Sequence, residues 1–196
     1  MRTSPPPWAE ALLRLFLKSD VFAGVSGDLL EQYRDSIHPA RGTYAADQWY
    51  VWQVFGFVWR GARLWAALFA GAFVARTALD WLLPTTDFHA RSEVSTALAA
   101  GLLLAAGLST SWRSGSFGAG AMAGLATTVF AAVLSIGGTA VLLAIWHDPD
   151  TMTAIRGSGG LEEAFVLPVW LILPGGVIGG IGGFAGAAAK RVVRSA

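Results

Sequence analysis

The chain has 196 residues, no cysteine, 54% hydrophobic and 14% charged residues, and a formal charge of +1. Soluble domains carry roughly 25% charged residues, so this shortfall, with a mean hydropathy of +0.52, excludes a freely soluble globule and a disordered chain. Near-zero net charge removes the field that would gather nucleic acid, and the missing cysteines exclude disulfides, thiolate metal sites, iron–sulfur clusters and cysteine nucleophiles. Nine tryptophans fit a chain that meets membrane–water interfaces.

Residues 1–63 hold seven basic and six acidic residues and read as a water-facing region. The run Ala11–Leu17 is short, contains Arg14 and has no small-residue cleavage site after it, so the N-terminus is expected to be retained. After Pro5-Pro6-Pro7, the positions Trp8, Leu12, Leu13, Phe16 and Leu17 have helical spacing. A second helix is predicted from Asp20, a good capping residue, with Val21, Phe22, Val25, Leu29, Tyr33 and Ile37 on its apolar face. Asp28, Glu31 and Asp35 lie on another face, read as solvated because a cation site needs more oxygen ligands. The His38-Pro39 step is expected to end this helix.

A third helix is predicted over Ala45–Arg60, dense in aromatics. Trp49, Trp52 and Trp59 share a side, so this helix is expected to lie in the headgroup layer with Arg60 and Arg63 among anionic lipids. In the competing account its aromatics pack against the second helix. The proline-rich start with Trp8-Ala9-Glu10-Ala11-Leu12-Leu13, the segment Gly27-Asp28-Leu29-Leu30-Glu31-Gln32-Tyr33-Arg34, and the stretch from Ala46 to Val54 together resemble the bacterial permease-prefix domain. In that family a short helical domain precedes ABC-exporter permeases of the macrolide-exporter type. The resemblance covers about residues 5–60 and implies a helical fold and a membrane setting. It does not extend to transport, because a compact membrane unit follows here, with no large extracytoplasmic domain and no ATPase motif.

Four apolar stretches are long enough, or nearly so, to cross a hydrocarbon core that takes about 20 helical residues. They are Leu64–Leu83, Val94–Trp112, Phe117–Trp146 and Ala164–Ala189. The third is overlong and is expected to tilt, to bend at Gly137-Gly138, or to start in the interface, the last being favoured. Basic residues sit before the first stretch, at Arg113, and at Lys190, Arg191 and Arg194, whereas acids dominate the other two loops. This pattern predicts both termini in the cytoplasm, and the resemblance to the permease-prefix family implies a bacterial inner membrane. The domain reading is therefore 1–44 prefix, 45–61 interfacial helix, 62–189 four-helix membrane unit and 190–196 basic tail.

Chemistry in the spans is sparse. Arg76 and Asp80, four apart near the outer end of the first span, can neutralise each other. A structural pair or a contact to another helix is favoured over an ion path. His38, His89 and His147 fall in loops or at span ends; His147-Asp148-Pro149-Asp150 with Asp87 and His89 lacks metal-site spacing and reads as a polar loop. No phosphate-binding Gly-Lys-Ser/Thr and no Gly-x-Ser-x-Gly occurs. Glycines recur at four-residue spacing: Gly120 and Gly124 in the third stretch; Gly175, Gly176, Gly179, Gly180, Gly182, Gly183 and Gly186 in the fourth. Such spacing lets helix backbones approach closely in lipid, inside the molecule or with a partner. Pro168 and Pro174 are expected to kink the fourth span.

The sequence thus predicts an all-α integral membrane protein with no cofactor, no metal and no catalytic residues. It is read as an accessory, scaffold or regulatory subunit of a larger membrane assembly (respiratory, photosynthetic or transporter), with other integral membrane proteins and lipids as partners. The alternative is a small transporter or channel that uses the Arg76–Asp80 region.

Overall fold

The computed structural model describes residues 4–85 and 88–195, which are helical with no strand among them. The helices are α1 (Pro7–Phe16), α2 (Ser19–Gln32), a π-helical turn (Tyr33–Ile37), α3 (His38–Leu82), α4 (Phe88–Ser114) and α5 (Phe117–Ile145). Three short helices follow, α6 (Pro149–Gly157), α7 (Gly160–Phe165) and α8 (Leu167–Trp170), before α9 (Ile172–Ser195). Among the described residues four helices are long and apolar enough to cross a membrane: the helical run that ends at Leu82 with α3, then α4, α5 and α9. The protein is an all-α membrane protein. The prefix lies at one end of the bundle and α6–α8 at the other, here the far end.

The second helix does not stop at His38-Pro39. Pro39 falls in the first turn of α3, where a missing N–H is tolerated, and the chain instead breaks at Gly42, whose φ of 77° suits glycine. From there to Leu82 the backbone is one helix, about 60 Å long at 1.5 Å per residue. The segments 45–61 and 64–83, predicted as an interfacial helix and a separate span, are therefore one rod. Nothing between them breaks a helix: Gly56 and Gly61 are single glycines, and no proline intervenes.

The buried face of α3 explains how one rod serves two bodies. Ala46, Tyr50, Val54, Val58, Ala62, Ala66 and Ala70 are buried at every fourth position. Each such step turns about 40° past a full revolution, so the stripe winds by about 240° along this stretch. Its lower part packs with Ala9 and Leu13 of α1, Leu29 of α2 and Tyr33. Its upper part faces Leu103 of α4 and Ala131 of α5. The Tyr33 hydroxyl donates to Asp47 Oδ1 at 2.7 Å, and its ring meets Tyr50 edge-on at 6.2 Å, tying the π-helical turn to α3. Trp59 meets Phe130 of α5 at 4.8 Å between ring centres, joining prefix and bundle.

The fourth span is shorter than the stretch Ala164–Ala189. Pro168 opens α8 and the chain turns again before Ile172, so α7 and α8 form a bent connector over residues 160–171 and the crossing helix starts at Ile172. The proline there resets the helix rather than kinking one span, because its missing N–H is harmless only in a first turn.

Candidate functional site

Arg76 and Asp80 pair as their spacing implies, Nε to Oδ2 at 2.8 Å. The pair is part of a larger network. From the connector, Glu163 on α7 accepts from Arg76 Nη1 at 2.5 Å. From α4, Arg91 Nη1 lies 3.4 Å from Asp80 Oδ1 and donates to the carbonyls of Leu79 and Leu83 at 3.0 and 2.9 Å. Arg91 thus caps the C-terminal end of α3, where open carbonyls favour a cation. Two cations and two carboxylates sum to zero, and Asp80 is only 4% exposed. Glu163 and Arg91 were legible only as loop charges. The signal that points to them is donor arithmetic: a guanidinium has five N–H donors, more than the single carboxylate one turn away accepts in good geometry.

Beside this network, α3, α4 and the connector enclose a crevice of about 150 Å³. Its polar lining is Arg76, Glu163, Ser92, Ser95 and Thr96; its apolar lining includes Phe69, Ala72, Phe73, Ala99, Leu167 and Leu171. The connector is held over the far end by Arg76–Glu163 and by a core of Trp81, Ile155 and Ala164. Gly159, at a φ of 101°, makes the turn between α6 and α7.

The glycines come together inside the molecule, with α9 wedged between α4 and α5. Gly120 and Gly124 face Gly175, Gly179 and Gly183 backbone to backbone. Gly182 and Gly186 press on the carbonyls of Leu104 and Leu108 of α4. Gly176 abuts the Leu125 side chain, and Gly180 is looser, with 3.6 Å from a built Cβ to Ala121 Cβ. Gly107 of α4, which has no glycine partner four residues away in sequence, meets the Gly179 carbonyl and belongs to the same seam.

Of the aromatic and basic residues expected at the interface, Trp52, Trp59, Arg60 and Arg63 are exposed. Trp49 is partly buried against the prefix core, as the competing account has it. Trp8, Tyr44 and Trp52 are exposed by 55%, 82% and 67%, which makes the prefix aromatic on its outside. Asp28, Glu31 and Asp35 lie exposed along one surface. Asp148 caps α6, accepting from the Thr151 backbone N–H at 3.0 Å and hydroxyl at 2.7 Å. The Thr151 hydroxyl bond, then the backbone bond, hold its carboxyl below the usual aspartate range. Asp87 and the side chains of His89 and Arg194 lie outside the described residues.

Compared with protein-family models, with curated proteins and with solved structures, the chain matches none.

Proposed function

We propose that the protein is a non-catalytic subunit that scaffolds or regulates a larger assembly in a bacterial cytoplasmic membrane, with the prefix as its cytoplasmic docking element. The observation that supports this most is the exposed aromatic surface of the prefix, Trp8, Tyr44 and Trp52, on a rigid three-helix body. Exposed aromatics outside the spans are the side chains that anchor protein–protein contacts. Within the spans the ionisable groups engage one another, and the glycines are used in internal packing. That pattern suits a structural member better than a catalyst. The resemblance of residues 5–60 to the permease-prefix domain points to the same setting, with another integral membrane protein as partner.

The test places a photo-crosslinking amino acid at Tyr44 or Trp52 in cells. One integral membrane protein, captured at both positions and co-purifying in fixed ratio, is the expected outcome. That association should be lost in Tyr44→Ser/Trp52→Ser while the chain's own thermal unfolding is unchanged. A homogeneous chain that moves a solute in vesicles would instead establish the second reading, a small transporter, which the crevice beside Arg76 favours.

A further inference from the structure

We infer that the crevice beside Arg76 and Glu163 is a binding site for one zwitterionic phospholipid drawn from the far leaflet. The three walls carry the same polarity gradient. On α3 the order from the far end inward is Arg76, then Ala72 and Phe69; on α4 it is Ser92, then Ala99; on the connector it is Glu163, then Leu171. Three separate elements therefore place hydrogen-bonding groups at headgroup depth and hydrocarbon below, as a lipid does.

The charge pattern selects the head. Arg76 and Glu163 stand side by side as an ion pair at the crevice wall, and a headgroup with a phosphate and an ammonium would add one opposite charge beside each of them. Asp80 and Arg91 balance them, so the four charges sum to zero. A head with net negative charge would bring an uncompensated charge into a poorly solvated site, whereas a zwitterion adds none. A volume of about 150 Å³ equals about five waters of liquid, room on the scale of a headgroup and far too little for acyl chains, so the head sits in the crevice while the chains leave toward the bilayer. The site is independent of the docking role above, since it lies at the opposite end of α3.

The test uses the full chain in vesicles that contain a phosphatidylethanolamine with a diazirine high on one acyl chain. Cross-links are mapped by mass spectrometry, with Phe184, exposed on α9, reporting general lipid contact. Labelling of the Phe69–Arg76 peptide should exceed that at Phe184, and should fall about tenfold when phosphatidylglycerol carries the same diazirine, the loss of one charge-assisted contact. Ala72→Phe and Ala99→Phe, which fill the crevice from opposite walls, should each abolish the excess with Phe184 labelling unchanged. Glu163→Gln should remove the preference between the two lipids. Free phosphoethanolamine at millimolar concentration should leave the labelling intact. Equal labelling at the crevice and at Phe184, or no preference between the heads, overturns the proposal. Displacement by the free head overturns it in favour of a soluble zwitterion.

Discussion

A Cβ built on Gly124 would stand 3.0 Å from the Cα of Gly179, and one on Gly179 would stand 2.7 Å from the Cα of Gly124. Each glycine stands in the path of the other's side chain, with the Gly175 carbonyl closer still to Gly124 and the Gly120 carbonyl as close to Gly179. Between helices in lipid there is little hydrophobic drive to associate, so dispersion at close backbone approach holds α5 and α9 together.

Gly124→Ala and Gly179→Ala are each expected to lower stability by about 1–3 kcal/mol through overpacking. Gly137→Ala, on the same helix with open space around it, should be neutral or stabilising by up to about 1 kcal/mol from helix propensity. Unfolding by dodecyl sulfate titration distinguishes them; equal effects at Gly124 and Gly137 refute the close-packing account.

In the charge network the cost should follow burial. Arg76→Met leaves the buried Asp80 without its nearest partner and is expected to cost about 3–5 kcal/mol. Arg91→Gln removes a side chain that is 30% exposed and should cost at most about 1 kcal/mol. The double change Arg76→Met/Asp80→Leu should recover part of the first loss. A double variant less stable than Arg76→Met would mean that the pair does not act as a unit.

Along α3, Trp52 precedes Trp59 by two turns, so Trp59 lies about 10 Å nearer the bundle at 1.5 Å per residue. Single-tryptophan chains in vesicles with headgroup-depth quenchers should therefore show strong quenching at Trp59 and weak quenching at Trp52. Trp49, packed on the prefix core, should show none. Strong quenching at Trp49 would restore a helix lying flat in the interface.

For Asp148 the sign follows from a lowered folded-state pKa. The cap contributes fully above the unfolded-state aspartate pKa and is lost as pH falls through the depressed folded value. Hydrogen exchange at Thr151–Ile155 should stay slow at neutral pH and quicken only under strongly acidic conditions. In Asp148→Asn, which also caps but does not titrate, protection should persist there. Identical acid profiles in the two chains would disconnect the carboxylate from α6.

The proposed topology predicts that a reporter fused after Ala196 is active only in the cytoplasm, and one inserted near Gly159 only outside. Arg113 and Lys190 share the prefix end, where Lys190 Nζ donates to the Arg113 carbonyl at 2.6 Å, so the second loop and the basic tail lie together on the side of the prefix. The reverse pattern at either fusion overturns the assignment.

The membrane helices and the glycine seam were legible because hydrocarbon thickness and four-residue spacing are local properties of a sequence. The seam's third side was not: Gly107 has no glycine partner along its own helix, and only the tertiary approach of α4 to the Gly179 carbonyl gives it meaning. The charge network was half legible for the same reason. Arg76 and Asp80 lie one turn apart, whereas Glu163 reaches Arg76 across 87 positions of chain. The continuity of α3 was misread because the change in composition near residue 63 marks a change of surroundings, from water to lipid, that a helical backbone crosses without interruption.

That uninterrupted backbone sets a tolerance on chain length. Tyr50 belongs to the prefix core and Asp80 to the far-end network, and the same helix carries both. One residue added or removed between them would twist the two ends by about 100° and shift them by about 1.5 Å, so that both sets of partners cannot be met at once. A four-residue insertion would leave only about 40° of twist error, though it would lengthen the rod by about 6 Å. Between Tyr50 and Asp80 the molecule is keyed like a shaft, and natural insertions there should come near whole turns while single-residue indels are purged.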